Sequence, residues 1–260
     1  MADALPRHDR LTIVAVSVLS CILQDVLHEG LGHGVTAWLS GAHRITMSTV
    51  ALQSDNASRW IAANGTLVNL AAAALLWLIL IRADRYPPVL HYFLVLSLAG
   101  NLFTGTGYFF FSGVVNFGDW AAVISGLQPY WAWRLALIVV GAATYYASML
   151  LVAAKLRPFQ GREGATQRLR AVCWVPYFTD GILAAAAGVL NPAGLFYVIA
   201  SALPSTLGAN AGLISLPSLM PSEPREELVV IPRSRIWIAA GAVAALLFIF
   251  VLGRGITWSR

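Results

Sequence analysis

The sequence predicts an all-α fold, a polytopic transmembrane bundle of six to seven helices. Of its 260 residues, 58% are hydrophobic and only 11% are charged, whereas about a quarter of the residues in a typical soluble domain are charged. Several apolar runs reach the roughly 20 residues that a helix needs to cross a hydrocarbon core of about 30 Å. Helices are expected because an isolated strand or loop would expose unpaired backbone groups to lipid. We therefore expect one integral membrane domain over 1–260, embedded in the lipid bilayer.

Each candidate span ends near glycine, proline or a charged residue. Seven such spans are predicted, at 11–39, 60–81, 89–111, 133–154, 171–188, 193–213 and 236–252. The region 171–213 has two interpretations. Asn191-Pro192 and Pro204 are typical either of two short spans joined by a turn or of one broken, partly re-entrant segment. The second interpretation lowers the count to six.

The basic residues bear on membrane orientation. The net charge is +5, and arginines gather at the ends of the apolar runs, which is typical of topology signals and of contacts with lipid head-groups. With seven spans, 12 of the 17 lysines and arginines fall on the side of the N-terminus. Basic residues concentrate on the cytoplasmic side of membrane proteins, so we expect a multi-pass protein with a cytoplasmic N-terminus. We discard a nucleic-acid partner, and the sequence specifies no oligomeric state.

The first span ends in the string HEGLGH, His28 to His33. Ionisable side chains are costly inside a bilayer, so this cluster indicates a function, and a metal is the simplest one. In the zinc-hydrolase pattern HExxH, the histidines are four residues apart and lie about 40° apart on one face of an α-helix. A spacing of five separates them by about 140°. Both can bind one zinc only if a residue is looped out, as in a π-helical turn, and Gly30 and Gly32 tolerate that distortion.

This geometry predicts a role for each polar residue of the motif. His28 and His33 are the candidate ligands of Zn²⁺, which lowers the pKa of a bound water to about 7. Glu29 is the candidate catalytic residue, a general base that takes the proton of that water. Asp25, one turn earlier, is a candidate acceptor for the N–H of a ligating imidazole. Alternatively, the string is a polar helix end at the membrane surface that binds no metal.

A tetrahedral zinc site needs a third protein ligand. The ends of the first and third spans face the same side of the membrane, so Asp119, which follows the third span, is the first candidate. Asp180, midway along the fifth span, is the alternative. Glu29 itself, or no third ligand, also remains open. Asp119 is equally consistent with an N-cap, since the sequence at 120–124 is typical of a helix start.

Two family resemblances follow from these motifs. HEGLGH resembles the HELLGH of the dipeptidyl peptidase III family, zinc peptidases with the longer spacing, over six residues. Residues 11–125 resemble the site-2 protease family, intramembrane zinc metalloproteases with HExxH in the first core helix and an Asp-Gly ligand motif in the third. Three matches carry that resemblance: His28-Glu29 with His33; Gly65 to Asn69, similar to the family's Gly-Pro-x-x-Asn; and Asn101-Leu102-Phe103, similar to its Asn-Leu-x-Pro.

The chain differs from the site-2 protease pattern in four ways. Its histidine spacing is one residue longer, no proline follows Gly65, Asp119 lies farther from Asn101 than the family places its aspartate, and Trp120 stands where the family has glycine. The resemblance implies a metal-site core over 11–125 to which 133–252 adds further spans.

The motif and the resemblance together predict an intramembrane zinc metalloendopeptidase. Its substrate would be a membrane-embedded or membrane-proximal polypeptide. Asn69 and Asn101 are expected either to hydrogen-bond between helices or to contact substrate. Two other functions stay open: a catalytically silent relative that serves as a scaffold or regulator, and an ion-coupled transporter with Asp25, Glu29 and Asp180 along an ion path.

Overall fold

The structure, a computed structural model, describes residues 7–161, 165–192, 194, 198–220 and 228–259. The chain is 78% helical, which confirms the predicted all-α class. Six helices within the described residues are long and apolar enough to cross a membrane. In chain order these are α1 (Arg10–Leu39), α2 (Arg59–Ala83), α3 (Pro88–Val115), α5 (Tyr130–Phe159), α6 (Ala165–Val189) and α8 (Arg235–Leu252). Two shorter helices lie between them, α4 (Asp119–Ile124) and α7 (Gly212–Leu219).

Local chemistry sets the helix boundaries that position the site. The Asp9 carboxylate accepts a hydrogen bond from the Thr12 backbone N–H and caps α1, and the Ser58 hydroxyl caps α2 in the same way. Asn116 ends α3 in the left-handed conformation at φ 59°, and Gly118 follows at φ 84°. Such positive φ values favour Asn and Gly. This reversal brings Asp119, the first residue of α4, back toward the bundle.

A small antiparallel sheet lies at one end of the bundle, here called the sheet end. Its strand order is β2-β1-β3, and its strands are β1 (Arg44–Met47), β2 (Leu52–Ser54) and β3 (Ile256–Ser259). Ile45 pairs with Ser54 on one side and with Trp258 on the other. Ile45 and Met47 are buried, so one face of β1 packs on the helices. This sheet is not among the elements that the sequence predicts.

The described residues 198–219 form a broken crossing of the bundle. They comprise the π-helices Val198–Ala202 and Pro204–Gly208, the 3-10 turn Ala209–Ala211, and α7. Ser201 donates a hydrogen bond of 2.6 Å to the Val50 carbonyl near the sheet. Leu216 packs into the main core with Ile231 at the opposite end. The region 171–213 thus comprises most of the continuous helix α6 and most of a second, broken segment, with residue 193 and residues 195–197 outside the described part of the chain.

The opposite end is tied together by His8, which precedes α1. Its Nε2 donates to the Phe159 carbonyl at 2.9 Å, and its Nδ1 accepts from the Ile231 backbone N–H at 3.1 Å. Both bonds require the neutral imidazole with its proton on Nε2. Burial lowers the pKa of His8 below 6.5, and this effect outweighs the hydrogen bond to Phe159. The folded state therefore favours the neutral ring.

Replacing His8 with alanine is expected to reduce both stability and its pH dependence. Because its folded pKa is depressed, the contribution of His8 is complete above pH 6.5 and declines as the pH falls toward the folded value. Losing the hydrogen bonds and leaving their buried partners unsatisfied costs about 1–3 kcal/mol. Thermal melts of the purified protein at pH 8 and pH 5 measure the effect. If the melting temperature falls by the same amount from pH 8 to pH 5 in the wild type and in His8→Ala, this role is contradicted.

Candidate metal centre

The HEGLGH string lies in a π-helical stretch of α1. The helix is α-helical over Arg10–Asp25, π-helical over Val26–Gly34 and α-helical again over Val35–Leu39. In a π-helix the hydrogen bonds run between residues five apart, so His28 and His33 occupy neighbouring turns of one face. The predicted distortion is confirmed. Both histidines are buried, with relative exposures of 4% and 7%.

Helix α2 approaches this stretch so closely that only glycine fits at the crossing. A Cβ added to Gly32 would lie 2.8 Å from the Asn64 carbonyl oxygen of α2. A Cβ added to Gly65 would lie 2.8 Å from His28 Cε1 and nearer still to His33 Nε2. Both distances are shorter than atomic contact permits. The two imidazoles therefore pack against bare backbone at Gly65.

The hydrogen bonds of Asn69 define the protonation of His28. The Asn69 Nδ2 donates to Asn101 Oδ1 at 2.8 Å and to the Gln24 carbonyl at 3.2 Å. Its Oδ1 therefore faces His28 Nδ1, 2.6 Å away, and accepts the proton of that nitrogen. Because a neutral imidazole carries one proton, the lone pair of His28 is on Nε2.

His33 has the same tautomer for a different reason. Its Nδ1 lies 2.6 Å from the Ile61 carbonyl, which can only accept a hydrogen bond. The proton is thus on Nδ1, and Nε2 carries the lone pair. Metal-binding histidines typically use this arrangement, in which the second ring nitrogen donates to a carbonyl or amide oxygen.

Three ligand atoms converge at the end of the π-helical stretch. His28 Nε2 lies 3.1 Å from His33 Nε2 and 3.1 Å from Asp119 Oδ2, and His33 Nε2 lies 3.3 Å from the same oxygen. Burial opposes ionisation of Asp119, but the two imidazoles hold the pKa of its carboxyl below the ordinary value. One proton can be shared by only two of these three electron-rich atoms at a time, whereas one metal cation can attract all three.

The distances fit zinc. Ligands 2.0–2.2 Å from a tetrahedral zinc lie about 3.3–3.6 Å from one another. Two of the three separations, at 3.1 Å, are slightly shorter than that, and the third, at 3.3 Å, is at the lower limit. Two imidazoles with one carboxylate form a ligand set that catalytic zinc uses. His28, His33 and Asp119 are the residues that could hold the metal.

Glu29 lies beside the ligands with a free carboxylate oxygen. The side chain is 8% exposed, and its Oε2 is buried without a hydrogen-bond partner among the described residues. A carboxylate that lies next to His28 and has an unused lone pair is suited to act as a general base.

A cavity of about 1070 Å³ opens onto this cluster, with Glu29, His33 and Asp119 in its wall. Its wall is formed by five parts of the chain: the segment that includes β2; the start of α2; the end of α3; α5; and part of 201–211. Most of the remaining wall is apolar or aromatic, including Leu52, Ile61, Phe110, Phe111, Val114 and Met149. The site is therefore accessible from a space suited to apolar molecules.

Three other predicted site residues have different surroundings. Asp180, the alternative third ligand, accepts a hydrogen bond of 3.2 Å from Asn210 and is not among the three convergent residues. Neither imidazole N–H donates to Asp25, because both donate elsewhere, and Asp25 Oδ2 has no partner among the described residues. Asn101 acts through Asn69, from which it accepts a hydrogen bond.

Asp119 begins α4 and does not cap it, because the residue that precedes the helix is Gly118. Two further contributors were not predicted from the sequence: the Ile61 carbonyl and Tyr108, whose ring stacks on His28. Helical spacing is the sequence signal that could have identified these two residues. Ile61 and Asn69 are two turns apart on α2, and Asn101 and Tyr108 are two turns apart on α3.

Replacing Asn69 with alanine is expected to weaken zinc binding about 10- to 100-fold, because the ring of His28 would lose the acceptor that orients it. Competition with a chromogenic chelator measures the affinity. Asn64→Ala is the matched control, since Asn64 lies on the same helix and donates to Thr36 instead. Equal zinc affinities in the two variants would refute the role of Asn69.

Comparison of the chain with protein-family models, curated proteins and solved structures finds no match.

Proposed function

We propose that this protein is an intramembrane zinc metallopeptidase that hydrolyses peptide bonds of membrane-embedded or membrane-proximal polypeptides. The observation that carries the proposal is the convergence of His28, His33 and Asp119 beside the free carboxylate oxygen of Glu29, at the wall of an apolar cavity. The resemblance of 11–125 to the site-2 protease family supports the same chemistry.

Each residue of the site has a separate role in hydrolysis. Zinc held by the two histidines and Asp119 would supply a Lewis acid and lower the pKa of water to about 7. Glu29 takes a proton from the attacking water and delivers it to the leaving amine. Asn69 and the Ile61 carbonyl hold the imidazoles in one tautomer, so no reorientation is required during the reaction.

The cavity wall favours a polypeptide over a lipid as substrate. In the strand order β2-β1-β3, β2 is an edge strand, and its residues Leu52, Gln53 and Ser54 line the cavity. An edge strand has backbone N–H and C=O groups that face away from its partner strand, and an extended peptide can pair with them. One of these groups, the Leu52 N–H, is already bonded to Glu29. A lipid chain would leave the other groups without partners. The apolar remainder of the wall suits the side chains of a membrane-embedded segment.

Reconstituted protein tests the proposal. Zinc-loaded protein in liposomes is mixed with a panel of synthetic single-span peptides of varied sequence, and products are identified by mass spectrometry. We expect cleavage that a chelator abolishes and added zinc restores. Zinc-bound protein that cleaves no peptide would contradict the proposal and favour a silent scaffold. Metal-free protein that moves ions through Asp25, Glu29 and Asp180 would favour a transporter.

A further inference from the structure

Tyr108 lies against the metal-binding cluster from α3. Its ring stacks on the His28 ring with centroids 5.0 Å apart and planes inclined by 30°. It also lines the cavity that contains Glu29, His33 and Asp119. A substrate in that cavity would therefore meet the tyrosine and the general base together.

The ring of Tyr108 is held on several sides. Besides His28, it contacts the edge of Phe111, with centroids 6.4 Å apart. The Gly118 turn lies beside it, since a Cβ added there would be 3.7 Å from Tyr108 Cε1. Because Asp119 directly follows Gly118 in the chain, the phenol ring is also fixed relative to Asp119. Fixed donors are the ones that stabilise developing charge, because they need no rearrangement during the reaction.

The hydroxyl of Tyr108 has no hydrogen-bond partner in the described part of the chain. Other tyrosines of the bundle use theirs to bind backbone: Tyr92 donates to the Val172 carbonyl at 2.8 Å, and Tyr145 donates to the Ala209 carbonyl at 2.6 Å. Tyrosine hydroxyls that leave water usually find a partner. The free hydroxyl at the cavity wall is therefore available to a bound molecule.

Peptide hydrolysis at this site would use such a donor. The water oxygen forms a bond to the carbonyl carbon while its proton passes to Glu29, and the C=O π electrons move onto the carbonyl oxygen. That oxygen then carries negative charge until the C–N bond breaks and the nitrogen takes the proton from Glu29. The side-chain N–H groups of His28, His33 and Asn69 already donate within the site. The Leu52 backbone N–H is bonded to Glu29.

We propose that Tyr108 is a catalytic residue of the peptidase, whose hydroxyl donates a hydrogen bond to the carbonyl oxygen of the scissile peptide as that oxygen becomes negative. The hydroxyl keeps its proton throughout. This inference rests on the proposed function and assigns the group that stabilises its transition state.

Tyr108→Phe is the decisive variant, because it removes the hydroxyl and retains the ring that stacks on His28. Loss of one such donor lowers kcat by about 10²- to 10³-fold, and we expect KM, zinc content and melting temperature to match the wild type. Tyr86→Phe is the matched control. Tyr86 packs against the main core, is not among the residues that line the cavity, and is expected to keep the wild-type kcat when replaced.

Inhibitor binding supplies a second measurement that does not depend on turnover. A phosphinic peptide carries a tetrahedral centre with a negative oxygen, whereas a thiol peptide of the same sequence does not. We expect Tyr108→Phe to weaken the phosphinic peptide at least tenfold more than the thiol peptide. Equal weakening of both, or a wild-type kcat in Tyr108→Phe, would overturn the role of Tyr108 and leave the peptidase intact. A wild-type protein that binds zinc but cleaves nothing would overturn the proposed function itself.

Discussion

Replacing Glu29 with glutamine is expected to lower kcat for peptide hydrolysis by about 10²- to 10⁴-fold, the usual contribution of a general base. The amide has nearly the same shape as the carboxylate but cannot accept a proton from water. Because His28, His33 and Asp119 are the proposed ligands, zinc content is expected to remain that of the wild type. Rates are measured with the reconstituted protein on a cleaved peptide, and zinc by elemental analysis of the same sample.

Asp25→Asn is the control for Glu29→Gln. Asp25 is another acid of the same helix, one turn earlier, and neither imidazole donates to it. We expect this variant to keep both zinc and activity. Full activity in Glu29→Gln would contradict the role of Glu29 as the base, and loss of zinc in that variant would show that Glu29 is a ligand instead.

Gly65→Ala is expected to cause the second large loss, although Gly65 has no side chain to contribute. The new methyl group would overlap His33 Nε2 and His28 Cε1. The hydrogen bonds to Ile61 and Asn69 hold these rings from behind, so relief of the overlap displaces the ligand atoms. A displacement of about 1 Å at a reacting site costs about 10²-fold in rate, and we expect zinc to be lost more readily to a chelator.

Gly208→Ala is the matched control for Gly65→Ala, because a Cβ at Gly208 meets no atom within 4 Å. Both variants replace a helical glycine within the bundle. We expect Gly208→Ala to retain zinc as the wild type does. Wild-type zinc retention in Gly65→Ala would show that the imidazoles are not confined by α2.

Hydropathy and local spacing predict much of this fold because they depend on neighbouring residues. Six of the seven candidate spans correspond to continuous helices within the described residues. The HEGLGH spacing also predicts the π-helical stretch, since one extra residue between two ligands has few regular solutions. Asp119 was a candidate because alternate span ends share one side of the membrane.

Other parts depend on contacts that local patterns do not encode. Strand β3 pairs with β1 across most of the length of the chain, and each strand is too short to give a distinct pattern. The sequence places Asp25 one turn from His28, but the packing of α2 brings Asn69 to that imidazole instead. Tyr108 lies in a stretch rich in aromatic residues, where nothing local separates it from Phe109 or Phe110.

The zinc content of the purified protein and of three ligand variants tests the central claim most directly. We expect one zinc per chain in the wild type, and loss of that zinc in His28→Ala, His33→Ala and Asp119→Ala, while each variant remains folded by its thermal melt. Stoichiometric zinc that persists in all three variants, or a folded wild-type protein that binds none when zinc is supplied, would contradict the account.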